Sequence, residues 1–341
     1  MRVVRARVAS TGQGCFDIMH AGHYNALRQA KALFSGFPDV KVSLVAGVHT
    51  DASIAQQKGP PVMNQAERVA MVEACKWVDE VAIIPDYLID VALLDSLRCD
   101  FVAHGDDLPI RTDGTGMYHQ AIRANRFRMI QRTEGVSTTT FIGRLLQVTR
   151  PKTLNVAPAE EKPVQVSATL LPTGSRMSSF AAGLRPLARA KRVVYVDGTF
   201  DVFHHGHLEF LRLAREQGDY LLVGLHSDEV AAATHGPGHP IMSLHERALC
   251  LLACKFVDDI ILGAPFAVTA NLCTSMNISV VCAGAANTNA KMRKEQDPYA
   301  VPKEMCAAAC SRLPCGVLSG AAQGGLLALF HRWLAGLQGD L

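Results

Sequence analysis

The stretch Gly14-Cys15-Phe16-Asp17-Ile18-Met19-His20-Ala21-Gly22-His23 recurs as Gly198-Thr199-Phe200-Asp201-Val202-Phe203-His204-His205-Gly206-His207. Both copies read G-x-F-D followed by H-x-G-H, and each opens a run with helical spacing. The repeat extends well beyond this pattern. Residues 45–51 match 222–228, Glu67-Arg68 matches Glu246-Arg247, and 74–80 match 253–259, at a nearly constant offset of about 180 residues. Such a chain folds as a duplicated unit, and 341 residues accommodate two domains.

Each half alternates strand-like and helix-like segments. Apolar strands are predicted at 42–48, 80–84 and 101–103, and again at 193–196, 220–225, 259–262 and 280–282. A helix over 64–76 carries Asn64 and Glu67 in capping-box positions, and one over 243–255 repeats this with Ser243 and Glu246. The alternation predicts an α/β fold with parallel sheets covered on both faces. Ligands of such sheets bind beyond the carboxyl ends of the strands, where the H-x-G-H turns fall. Residues 151–191 hold five prolines, Pro151, Pro158, Pro163, Pro172 and Pro186, without sustained periodicity. They are expected to form a linker. The domain expectation is therefore 1–150, a linker at 151–190, and 191–341. The stretch Ala9-Ser10-Thr11-Gly12-Gln13 is polar and Gly-containing, a poor central strand.

His20 and His23 are one helical turn apart and share a face at a helix start. A helix N-terminus favours phosphate through its free N–H groups and dipole, and imidazole donors add contacts to a charge-rich transition state. Gly22 leaves room for close approach. The turn suits a nucleoside triphosphate, although two histidines at a cap also have a purely structural use. Lys58, in Gln57-Lys58-Gly59-Pro60-Pro61, is expected in a loop after the second strand, where a flexible ammonium can neutralise triphosphate charge. His104-Gly105-Asp106-Asp107 follows an apolar strand, in a position typical of ligand-binding loops. Arg132-Thr133-Glu134-Gly135-Val136-Ser137-Thr138-Thr139 offers an arginine fork, hydroxyls and N–H groups for terminal phosphates.

Composition closes off other classes. The formal charge of +3 is too small to imply nucleic acid as a partner. No run reaches the ~20 apolar residues that span a bilayer. The N-terminus lacks the apolar stretch of a secretory leader, so the ten cysteines are expected to stay reduced in the cytoplasm. Cys306, Cys310 and Cys315 cluster without the histidine arrangement of a zinc site. No metal is expected on side chains alone.

With these residues in view, the chain resembles the CTP:phosphoethanolamine cytidylyltransferases of the cytidylyltransferase superfamily. The carriers are G-C-F-D-x-x-H-A-G-H at 14–23, K-G-P-P-V at 58–62, E-R at 67–68, W-V-D-E at 77–80, H-G-D-D at 104–107 and R-T-E-G-V-S-T-T at 132–139. In the second half they are G-T-F-D-V-F-H-H-G-H, P-I-M-S-L-H-E-R at 240–247 and G-A-P-F-A-V-T-A at 263–270. The resemblance implies two tandem Rossmann-like nucleotidyltransferase domains that pair as a pseudo-dimer. It implies CTP and phosphoethanolamine as substrates, Mg2+ bound with CTP, and CDP-ethanolamine and pyrophosphate as products. It places His20, His23, Lys58 and Arg132 at the reacting phosphates. It implies CTP contacts from Cys15, Phe16, His20, His23, His104, Asp106, Arg132, Thr133, Gly135, Val136, Ser137 and Thr138.

Asp17, Tyr87 and Tyr118 are candidates for the substrate ammonium. A trimethylammonium group wants an aromatic cage and a primary ammonium also wants acceptors, so these residues leave phosphocholine open. No lipid-sensing amphipathic helix is evident, and peripheral contact with membranes stays open.

The second half keeps Thr199, Phe200, His204 and His207 but has Thr234-His235-Gly236-Pro237 where the first has its lysine. Ala283 stands in place of His104, no R-T-x-G-x-S-T follows, and the tail after Asp297-Pro298-Tyr299 departs from the family. The second copy is therefore expected to be degenerate, doing little chemistry. A nucleotide-binding regulator without turnover is the reading from another class, which the complete first-half set opposes.

Overall fold

The computed structural model describes residues 4–10, 15–85, 88–108, 116–133, 143–144, 173–284, 297–305 and 310–313. The first half runs β1 Val4–Ser10, α1 Ala21–Lys31, β2 Val40–His49, α2 Asp51–Lys58, α3 Gln65–Glu73, β3 Glu80–Ile84, α4 Val91–Ser96, β4 Phe101–His104, α5 His119–Arg123 and β5 Phe127–Met129. Its sheet has the order β3-β2-β1-β4-β5, with every pairing parallel. After α6 Thr173–Ala181 the second half runs β6 Val193–Gly198, α7 His205–Arg215, β7 Tyr220–His226, α8 Asp228–His235, α9 Leu244–Ala253, β8 Asp259–Ala264, α10 Ala270–Ser275, β9 Ile278–Gly284, α11 Ala300–Met305 and β10 Cys310–Leu313. Its order β10-β9-β6-β7-β8, also all parallel, is the same topology read from the opposite edge. Helices cross between parallel strands in both copies, as parallel pairing requires.

Burial accounts for the strands. β7, YLLVGLH, is buried along its whole length, as a strand covered on both faces must be. At Gly224 an added Cβ would lie 2.0 Å from the Tyr195 hydroxyl, so only glycine lets that ring cross the strand. α1 buries Ala21, Tyr24, Leu27 and Ala30, one stripe at helical spacing. The capping boxes on α3 (Asn64, Glu67) and α9 (Ser243, Glu246) are both formed.

Two features go beyond the sequence reading. The first half does have a central strand, β1 over Val4–Ser10, and it takes in Ala9 and Ser10, the first two residues of the stretch that reads as a poor one. Val8 pairs with Leu44 on one side and Phe101 on the other, and neighbours on both edges hold β1 at the sheet's centre. Part of the expected linker is helical and packs against the core. α6 carries Met177 and Phe180, and Leu184 follows, on one apolar stripe packed against the core. Phe180 is buried edge-on to Trp77, ring centroids 5.0 Å apart. Residues 151–172 of that stretch lie outside the described residues.

The halves meet along α1 with α9 and α3 with α7. Between them Cys75 and Cys254 form an antiparallel bridge. Lys76 N–H donates to the Ala253 carbonyl at 2.9 Å, and Lys255 N–H donates to the Ala74 carbonyl at 2.8 Å. One core cluster takes Leu27 and Met71 from the first half and Leu208 and Leu251 from the second. α9 is buried from Arg247 through Ala253 because a sheet covers one side and the other half the opposite side.

Candidate active site

Every described candidate in the first half sits at the carboxyl edge of its sheet. His20 follows β1, Lys58 follows β2, His104 ends β4 and Arg132 follows β5. Phe16 and Ile18 hold φ of 48° and 46°, and Phe200 and Val202 repeat this at 48° and 49°. Four non-glycine residues in the left-handed region form an uncommon conformation that its surroundings must enforce.

A buried arginine supplies part of that enforcement. Arg68, fully buried on α3, donates to the carbonyls of Met63 at 3.2 Å, Cys15 at 2.7 Å and His49 at 2.8 Å, and to Asp51 Oδ1 at 2.6 Å. Arg247 repeats the set on Met242, Thr199, His226 and Asp228. Asp17 completes the frame: its two carboxylate oxygens accept from the Val62 and Met63 N–H groups at 2.8 and 2.9 Å. Asp201 does the same for Ile241 and Met242 at 2.7 and 2.9 Å. Asp17, a candidate for the substrate ammonium, thus has a structural employment: each of its oxygens accepts from the loop before α3. Burial raises its pKa against the pull of these hydrogen bonds.

His20 is the N-cap of α1, and its Nδ1 accepts from Gly22 N–H at 3.1 Å. His23 Nδ1 accepts in turn from His20 N–H at 3.4 Å, a capping box made of two imidazoles with ring centroids 4.1 Å apart. With both Nδ1 atoms accepting, each neutral ring keeps its proton on Nε2 as a donor. Burial pushes His20 down to about 4; the Glu246 carboxylate opposes this and Arg132 adds to it. Burial also lowers His23, helped by His20 and Lys58. At neutral pH both are uncharged donors, so cationic charge must come from elsewhere.

Lys58 supplies one such charge. The expected loop is instead the last residue of α2, because Gly59 at φ 89° ends the helix there. Its exposed ammonium acts electrostatically on both His23 and His104. His104 Nδ1 donates to the Gly105 carbonyl at 3.2 Å, and its ring lies 4.8 Å from that of Tyr118. Burial lowers its pKa. Tyr118 is buried between His104 and Phe127. Arg132 pairs with Asp107 at 3.3 Å, joining the loops after β4 and β5, while Asp106 is exposed. Thr133 Oγ1 accepts from Asn25 at 2.9 Å, and Gln29 of α1 exchanges two hydrogen bonds with the Gln131 backbone. α1 thus carries both the imidazoles and the chain that bears Arg132.

Tyr87, Gly135, Val136, Ser137 and Thr138 lie outside the described residues. Arg68, Asp51, Asn25 and Gln29 were not singled out as site residues in the sequence. The Glu-Arg pair repeated at 67–68 and 246–247 was the signal available for the first of them.

The second copy keeps the frame and loses the charge. His204 Nδ1 accepts from Gly206 N–H at 3.0 Å, but among the described residues His207 Nδ1 is buried without a hydrogen-bond partner, so the reciprocal cap is not made. His235 ends α8 where Lys58 ends α2, and it meets Thr199 Oγ1 at 3.1 Å. Burial lowers the pKa of His235 and takes His204 down to about 4.

The model of the cytidylyltransferase-like family matches residues 13–144 and 195–304. Among curated relatives, an ethanolamine-phosphate cytidylyltransferase of Dictyostelium discoideum is 44% identical, over 86% of this chain and 83% of its own. One from Arabidopsis thaliana is 42% identical, over 89% and 77%. Choline-phosphate cytidylyltransferase A of Rattus norvegicus is 39% identical but over 39% of this chain and 35% of its own. Two matched copies, each with the H-x-G-H turn at the carboxyl edge of a parallel sheet, establish that the chain belongs to the cytidylyltransferase-like family.

Proposed function

We propose that this chain transfers CMP from CTP to phosphoethanolamine, giving CDP-ethanolamine and pyrophosphate. The observation that carries this is extent: the similarity to ethanolamine-phosphate cytidylyltransferases runs through both halves, while that to the choline-phosphate enzyme covers about one. A phosphate oxygen of phosphoethanolamine attacks the α-phosphorus of CTP, and the bond to the β-phosphate's bridging oxygen breaks. The nucleophile is already ionised at neutral pH, so the protein positions reactants and stabilises charge. Neutral Nε2–H donors of His20 and His23 meet the α-phosphate region, and Lys58 and Arg132 balance the triphosphate charge. Cys15, Phe16, His104, Asp106 and Thr133 line the nucleotide side.

Among the described residues no group of three or more His, Cys, Asp or Glu is arranged to hold a metal ion. Mg2+ is proposed to arrive on the triphosphate, as is usual for this ion with phosphate substrates. Turnover is assigned to residues 1–150, with 151–190 as linker and 191–341 as a domain of little activity. A cytoplasmic setting goes with this reading: Cys75, Cys99, Cys250 and Cys254 are buried thiols, as a reducing compartment allows.

Pyrophosphate release with CTP is measured with phosphoethanolamine and with phosphocholine in separate reactions. Turnover is expected with the first at the higher kcat/KM. Preference for phosphocholine reassigns the substrate, and silence with both supports the regulator instead. Retention of configuration at the α-phosphorus would contradict direct displacement.

A further inference from the structure

The charges that act on His20 come from both halves: Arg132 from the first and Glu246 from the second. Glu246 is the N3 residue of α9, and its Oε2 accepts from the Ser243 N–H at 2.8 Å and from Ser243 Oγ at 3.1 Å. That same oxygen meets Arg144 Nη1 at 2.8 Å. Arg144 Nη1 also donates to the Ile241 carbonyl, beside the cap, at 3.2 Å. Arg144 closes the first family-matched region, 12 residues after Arg132 in sequence, whereas Glu246 and Ile241 lie in the second region. The Glu246 side chain is only 13% exposed.

Capping alone does not call for this partner. The symmetry-related Glu67 caps α3 through Asn64 N–H at 3.0 Å, and among the described residues it forms no ion pair. Withdrawing a carboxylate and a guanidinium from water is costly unless geometry and further hydrogen bonds offset it, and here the Ser243 and Ile241 contacts do so. The pair lies close enough to His20 for Glu246 to oppose the loss of its proton affinity.

We propose that Glu246 is a positioning residue for the first half's site: acting through Arg144, it ties the first half's chain downstream of Arg132 to the second half beside His20. The second half then completes a site whose reacting groups all lie in the first. The inference rests on the reading that this site takes CTP.

Glu246→Gln is the decisive variant, because an amide oxygen still accepts from Ser243 N–H and keeps the capping box while the charge is lost. Arg144→Met removes the guanidinium and keeps an apolar stem. Full-length wild type, both single variants and the double are compared by calorimetric CTP dissociation constant, by kcat and KM for pyrophosphate release, and by unfolding midpoint. Each single is expected to weaken CTP binding on the order of tenfold, with the double no worse than either, as for two groups that act together. Arg144→Lys should recover most of the loss, and Glu67→Gln should behave as wild type.

A lowered midpoint with an unchanged CTP constant would mean a merely structural pair and would overturn the proposal. Additive losses in the double variant would overturn it too. CTP binding needs no turnover, so a wild type that binds CTP without using phosphoethanolamine refutes the proposed reaction while the binding cycle still decides this inference. A wild type with no CTP binding removes both.

Discussion

The two H-x-G-H imidazole pairs differ in what their nitrogens do. In the first copy both Nδ1 atoms accept backbone hydrogen bonds and leave Nε2–H as a donor; in the second, His207 Nδ1 is buried without that partner. Changing His20 and His23 together to alanine should lower kcat by about 10²-fold or more, as losing preorganised donors does. The same change at His204 and His207 should appear in the unfolding midpoint, with kcat close to wild type. Equal losses of kcat from both pairs, with folding intact, would show two working sites. Acid stability provides a second residue-scale test. An unfolded imidazole near 6.5 takes up a proton that His204, held by burial at about 4, refuses in the fold. Its contribution is complete above pH 6.5 and is lost as pH falls toward 4. From 6.5 to 5 the loss is roughly 2 kcal/mol. Asp197, which burial raises to about 6, works in the opposite direction below that pH. His204→Gln should therefore flatten the fall in urea-unfolding free energy between pH 7 and 5 by roughly 2 kcal/mol. Parallel pH curves for variant and wild type would contradict the assignment.

At the scale of elements, each sheet's active edge is braced by one arginine donating from α3 or α9 to the first turn, to the end of the second strand and to the aspartate that opens the next helix. Lysine has one ammonium and no fork, so it cannot reach four acceptors spread over three segments. Arg68→Lys and Arg247→Lys should each cost about 1–3 kcal/mol by chemical denaturation, because buried carbonyls lose their donors. Only Arg68→Lys should also raise KM for CTP, because Cys15, whose carbonyl it holds, lies on the turn that leads to His20. An Arg247→Lys variant with the larger KM effect would place the nucleotide in the wrong half.

Over the whole molecule, the halves share one apolar core, and Phe180 is the point at which the segment between them joins it. Phe180→Ala should lower unfolding free energy by about 3–5 kcal/mol, the usual cost of emptying a buried aromatic site. Cys75 and Cys254 report on the same junction. Burial pushes their thiols up to about 12 and about 11, so both are protonated and unreactive while the halves stay together. Labelling of these two cysteines by a thiol reagent should therefore be slow in the wild type and faster in Phe180→Ala. Unchanged labelling would mean that α6 does not help to close the interface.

The sequence by itself determined the duplication, the α/β alternation, both capping boxes and the imidazole pair. Each of these is a pattern written within a few residues or repeated at a constant offset. It left the central strand of the first half unplaced, because the residues next to the motif are polar, whereas β1 draws its place from β2 and β4 on either side. It offered Asp17 as a candidate for the substrate ammonium and did not show its structural employment. Asp17 is committed to Val62 and Met63, 45 and 46 residues away, and no local pattern announces which backbone N–H groups a carboxylate will meet. Arg68 and the Arg144–Glu246 pair belong to the same class, with partners up to 102 residues distant. Periodicity specifies which face of an element is apolar; the employment of a buried charge is decided only when packing removes water and leaves it one set of partners.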